Sequence, residues 1–81
     1  MSTQKLSNIS VEELRRFLLK LGLNQSTQSK GRGGHEKWTG KQLTRPIIFQ
    51  THIDPVPEFI MKQILRHLGL SKDDFFKLMK K

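Results

Sequence analysis

Apolar residues recur along this chain at two different spacings, and the spacings divide it into elements. Leu14, Phe17, Leu18 and Leu21 fall three and four apart in one stripe, with Glu12, Arg16 and Lys20 opposite, which predicts a helix. Ser10-Val11-Glu12-Glu13 opens it as a capping box, where hydroxyl and carboxylate each satisfy a free backbone amide. Ile9 and Leu14 stand at the hydrophobic-staple positions around that cap, and Gly22 is placed to end the helix. Leu23 to Ser29 is too polar for a buried strand and suits an edge strand. His35 to Thr39 reads as a strand with His35, Lys37 and Thr39 on one face and Glu36 and Trp38 on the other. Gly40 to Thr44 reads as a hairpin loop. Pro46 to His52 is the clearest strand, centred on Ile47, Ile48 and Phe49, with its proline where no ladder donor is needed.

Asp54-Pro55-Val56-Pro57 is a stiff connector, and Pro57 suits the first turn of a second helix. Ile60, Met61, Ile64, Leu65 and Leu68 give that helix its apolar face, Lys62 and Arg66 its wet side, and Gly69 its C-cap. Ser71 and Asp74 repeat the capping spacing ahead of a last short helix whose Phe75, Leu78 and Met79 turn back to the core. Met1 to Asn8 is polar and reads as a loose arm. The order α-β-β-β-α, with an extra C-terminal helix, predicts an α+β domain: an antiparallel three-stranded sheet with helices on one face.

Composition narrows the class. Eighty-one residues suit one domain, and a chain that short buries only about 60 % of its unfolded surface. Fifteen Lys and Arg against seven Asp and Glu leave a net charge of +8, which attracts polyanions, nucleic acid first among them. A membrane surface fits less well, because no basic helix keeps a spare apolar face. No apolar run approaches the length of a membrane span, and the first residues lack the apolar block of a signal peptide. The absence of cysteine excludes disulfides and thiolate zinc sites and suits a cytoplasmic protein.

Candidate chemistry concentrates in Lys30-Gly31-Arg32-Gly33-Gly34-His35-Glu36-Lys37-Trp38. Glycines let backbone bend tightly or approach a ligand. Lys30, Arg32 and Lys37 suit a phosphate, with the amides of Gly33 and Gly34 as an anion-binding nest. His35 can exchange a proton near neutral pH. Against this stands the plain reading of a solvated turn beside a structural or exposed histidine. Lys41 and Arg45 extend the basic patch. His52 is either a second acid–base group or a strand-end residue. His67 reads as a surface residue, and Trp38 as core, with base stacking the minor reading. Gly40-Lys41 does not complete a phosphate-binding loop, and His35-Glu36 does not complete a helical zinc motif. His35, Glu36, His52 and Asp54 could in principle gather a metal, but no helical spacing supports it.

The whole order, over about residues 9 to 79, resembles the HicA mRNA-interferase toxins of type II toxin–antitoxin pairs. Gly34, His35 and Trp38 match the family's signature histidine, which follows Gly-Ser or Gly-Gly and precedes an aromatic or apolar residue by three. His52 stands where a second family histidine follows strand three, and Ile64-Leu65-Arg66-His67-Leu68-Gly69 matches the Ile-Leu-x-x-x-Gly helix end. The loop from Gly40 to Thr44 and the end of strand three depart from the family's charged-glycine turn and Pro-x-His ending. The resemblance implies a fold like a double-stranded RNA-binding domain and a ribosome-independent endoribonuclease that cleaves mRNA. It implies catalysis by His35 and silencing by a HicB-type antitoxin; cleavage through the 2′-hydroxyl requires no metal or cofactor.

Three other functions fit parts of the chain. A catalytically silent RNA-binding module of the same shape would show phosphate-driven, salt-sensitive affinity. A DNA-reading helix-turn-helix over Pro57 to Lys80 is disfavoured because its reading helix carries Phe75 and Phe76 and no Asn, Gln or Arg for base edges. A pure protein-interaction domain is the fourth; antitoxin binding would not exclude catalysis.

Overall fold

A computed structural model describes residues 6–26 and 35–79. The chain runs α1 (Val11–Lys20), β1 (Asn24–Gln25), β2 (His35–Thr39), β3 (Ile47–Gln50), α2 (Glu58–Leu68) and α3 (Lys72–Met79). The strands form one antiparallel sheet in the order β1-β2-β3, so β2 is central. The fold is α+β with three helices, as the order of elements predicts.

Local chemistry sets the helix ends. Ser10 Oγ accepts from the Glu13 amide at 3.0 Å, and Glu13 Oε1 accepts from the Ser10 amide at 2.9 Å, which closes the capping box of α1. Asp54, 43 residues on, adds a third partner: its Oδ1 accepts from the Val11 amide at 3.1 Å. Gly22 at φ 83° and Gly69 at φ 73° follow α1 and α2 in the left-handed conformation that glycine adopts without strain. The reciprocal Ser71–Asp74 bonds, 2.9 and 3.1 Å, open α3. Pro57 is the N-cap of α2, one residue before the first turn.

The core is a single cluster in which Leu14, Phe17 and Leu18 of α1 meet Trp38, Ile47 and Phe49 of the sheet and Met61, Ile64, Leu65 and Phe75 of the later helices. Phe17 and Phe75 meet edge-to-face with ring centroids 4.7 Å apart. Phe75, at the centre of α3, is thus committed to the core. The last helix is a packing element, which weakens the helix-turn-helix reading further.

Two expectations need correction. Leu6, assigned to a loose arm, is only 2 % exposed and belongs to the core. Val56 donates its amide to the Ile9 carbonyl at 2.8 Å, which holds the connector against this N-terminal segment. The third strand stops at Gln50, because Thr51 and His52 form a turn. Gly40 is more than a loop residue: a Cβ there would run into the side chain of buried Leu23. Among the described residues no helix is long and apolar enough to cross a membrane.

Candidate functional site

Alternation along β2 and β3 gives the sheet two unlike faces. Glu36, Trp38, Ile47 and Phe49 point into the core; His35, Lys37, Ile48 and Gln50 are exposed on the other side. Cross-strand register sets His35 opposite Gln50 and Lys37 opposite Ile48. His35 therefore stands at the first position of the central strand, on the open face, with its Nε2 3.3 Å from Gln50 Nε2. If the amide donates in that contact, the ring nitrogen is the acceptor and the proton of the neutral imidazole sits on Nδ1.

What holds His35 outward is its neighbour. Glu36 is 6 % exposed, a charge inside the core face, and both of its carboxylate oxygens accept hydrogen bonds. Arg15 of α1 grips the carboxylate from two nitrogens, Nη2 at 2.9 Å and Nε at 3.0 Å to Oε1, with Nε also 3.2 Å from Oε2. Trp38 donates its indole N–H to Oε2 at 2.8 Å. The hydrogen bond to Glu36, then the attraction of its charge, pushes the Arg15 guanidinium above its already high ordinary value. Because side chains alternate, pinning Glu36 and Trp38 inward obliges His35 and Lys37 to face out. Buried carboxylates need partners, and a glutamate two residues before a tryptophan on a strand is the signal that could have revealed this pair.

The other expected site residues divide. His35 and Lys37 share the open face. Lys30, Arg32, Gly33 and Gly34 lie outside the described residues. His52 is exposed in the turn after β3, two residues beyond Gln50. Lys41 and Arg45 are exposed on the β2–β3 loop. His67 is not merely a surface residue: its Nε2 lies 3.1 Å from the Arg45 carbonyl oxygen, so that nitrogen donates and ties α2 to the loop before β3. Trp38, 2 % exposed and engaged by Glu36, is closed to base stacking. Of the four residues considered for a metal, Glu36 and Asp54 are taken up by Arg15 with Trp38 and by the α1 amide. Among the described residues no group of three or more His, Cys, Asp or Glu gathers where a metal could bind.

Sequence reasoning missed one feature entirely. Beside His35 a groove of about 370 Å³ runs between the open face of β3 and the start of α2. Ile48, Gln50, Ile53, Phe59 and Ile60 are among its walls. Comparison with family models, with curated proteins and with solved structures yields no match to this chain.

Proposed function

We propose that this protein is an endoribonuclease of the HicA type, acting on mRNA through the 2′-hydroxyl and restrained by a HicB-type antitoxin, with a fold related to double-stranded RNA-binding domains. The observation that carries the proposal is His35: an exposed imidazole at the head of the central strand, beside Lys37 on an open face, in a chain of net charge +8. A buried or remote histidine would have offered no route for an RNA linkage to reach it.

In the proposed reaction His35 takes the 2′-hydroxyl proton, O2′ bonds to phosphorus, and the P–O5′ bond breaks. The departing O5′ takes a proton from an acid, for which His52 or the protonated His35 is the candidate. Products are a 2′,3′-cyclic phosphate and a 5′-hydroxyl. Lys37, with Lys30, Arg32 and the amides of Gly33 and Gly34, supplies positive groups for the charge that builds on the phosphate oxygens. A protein acting on mRNA would work in the cytoplasm.

Incubating the protein with RNA in EDTA tests the reading. The expected result is cleavage by the wild type, and a rate lower by about 10²–10⁴-fold for His35→Ala, the usual contribution of one acid–base group. Because His35 is exposed, circular dichroism of the variant should match the wild type. Cleavage by His35→Ala at the wild-type rate would overturn the assignment. Binding without products would leave the silent RNA-binding module as the function.

A further inference from the structure

Four large apolar side chains are notably exposed among the described residues: Leu19, Ile48, Ile53 and Phe59. Leu19 stands alone on α1. The other three, 56 %, 39 % and 64 % exposed, line the one groove that also contains His35. Apolar surface of this kind, gathered beside a titratable group rather than scattered, marks a binding site. We infer that the groove is a base-binding subsite, in which one unpaired RNA base adjoining the scissile phosphate lies against Phe59.

The inference rests on the ribonuclease reading and adds to it a place for the base. Three features select this occupant. First, the groove pairs flat apolar walls with hydrogen-bonding edges: Ile48, Ile53 and Phe59 on one hand, the Gln50 amide and the His35 ring on the other. A heteroaromatic base needs that combination, because its faces stack and its edge carries donors and acceptors. Secondly, the cation lies outside the groove but beside it: Lys37 pairs across the sheet with Ile48. That spacing suits a nucleotide, with its base in the apolar groove and its phosphate at the basic rim, and complements a protein of charge +8. Thirdly, about 370 Å³ is within the usual range for a small-molecule site. Phe59 is also the described aromatic best placed to stack, because Trp38 is sealed in the core.

The probe is a short, fluorescently labelled single-stranded RNA carrying 2′-O-methyl groups throughout, which can be bound but not cut. Phe59→Ala should weaken its binding by about 5- to 100-fold, the span for loss of one stacked base. Phe59→Tyr, which keeps the ring, should bind like the wild type. A series of probes with one abasic position each should reveal a position that matters to the wild type and not to Phe59→Ala, since the side chain and the base are coupled. The same variants are assayed for cleavage of unmodified RNA. Wild type that binds with this base dependence but never cuts leaves the subsite standing and removes the catalysis. Wild type that cuts RNA while Phe59→Ala binds and cuts unchanged overturns the subsite alone, and the groove then suits a protein segment. No binding of RNA by the wild type overturns both.

Discussion

Glu36 shows how much a single residue contributes to this site. It spends a charge inside the core, where an unpaired carboxylate would cost several kcal/mol, and it is tolerated because Arg15 and Trp38 supply donors to both oxygens. Removing one partner should therefore hurt more than removing both. We expect Arg15→Met to lower unfolding stability by about 2–3 kcal/mol, somewhat less than breaking a fully enclosed pair, because Arg15 is itself partly exposed. Adding Glu36→Gln should restore part of the loss. Urea unfolding of the two variants checks this; an unchanged midpoint for Arg15→Met would show that the pair does not hold α1 to β2. The alternation that exposes His35 and Lys37 was legible from the strand pattern alone. The partner of Glu36 was not, since Arg15 lies 21 residues away on another element.

Among the elements, the helices were the most legible, because their ends are marked by residues within four positions of them, with Asp54 at the start of α1 the distant addition. The start of α3 carries a test. Hydrogen bonds from the Ser71 amide and hydroxyl hold the Asp74 carboxyl below its ordinary value of 3.8. A depressed carboxyl stabilises the fold above its unfolded pKa, and the contribution is lost as pH falls through the lower folded value. Asp74→Asn should thus be less stable than wild type at neutral pH, and the gap should close on acidification below about pH 4. Unfolding midpoints of both proteins across that range decide it, and a gap that does not change with pH would sink the idea. Strand ends were less legible than helix ends. Pro46 to His52 continues the apolar and polar pattern of a strand, but among the described residues pairing with β2 runs from Ile47 to Gln50, and Thr51 and His52 form a turn. His52 therefore enters the turn and leaves the sheet.

For the molecule as a whole, charge and topology act together. A surplus of eight positive charges predicts RNA affinity that falls steeply with salt. If about four phosphates are contacted, log affinity for single-stranded RNA should fall with log salt at a slope of about −3. Fluorescence anisotropy of the uncleavable probe over a salt series measures it. A slope near zero would mean that binding, if seen, is not phosphate-driven. Topology adds what charge cannot. It leaves one sheet face open, sets His35 on it, and brings the turn after β3 and the first residues of α2 round to wall a groove beside it.

Patterns of near neighbours were readable before any coordinates: the three helices with their caps, the central strand, and its two faces, with His35 and Lys37 on the exposed one. Each depends on interactions within a few residues or on the strict two-residue alternation of a strand. Burial of Leu6, the Arg15–Glu36–Trp38 network, the tie from His67 to the β2–β3 loop and the groove at Phe59 all join segments far apart in sequence. Those features exist only once the chain has closed on itself, because nothing local distinguishes a core leucine or a groove phenylalanine from a solvent-facing one, and the spacing of Glu36 and Trp38 does not say that Arg15, 21 residues away, completes the network.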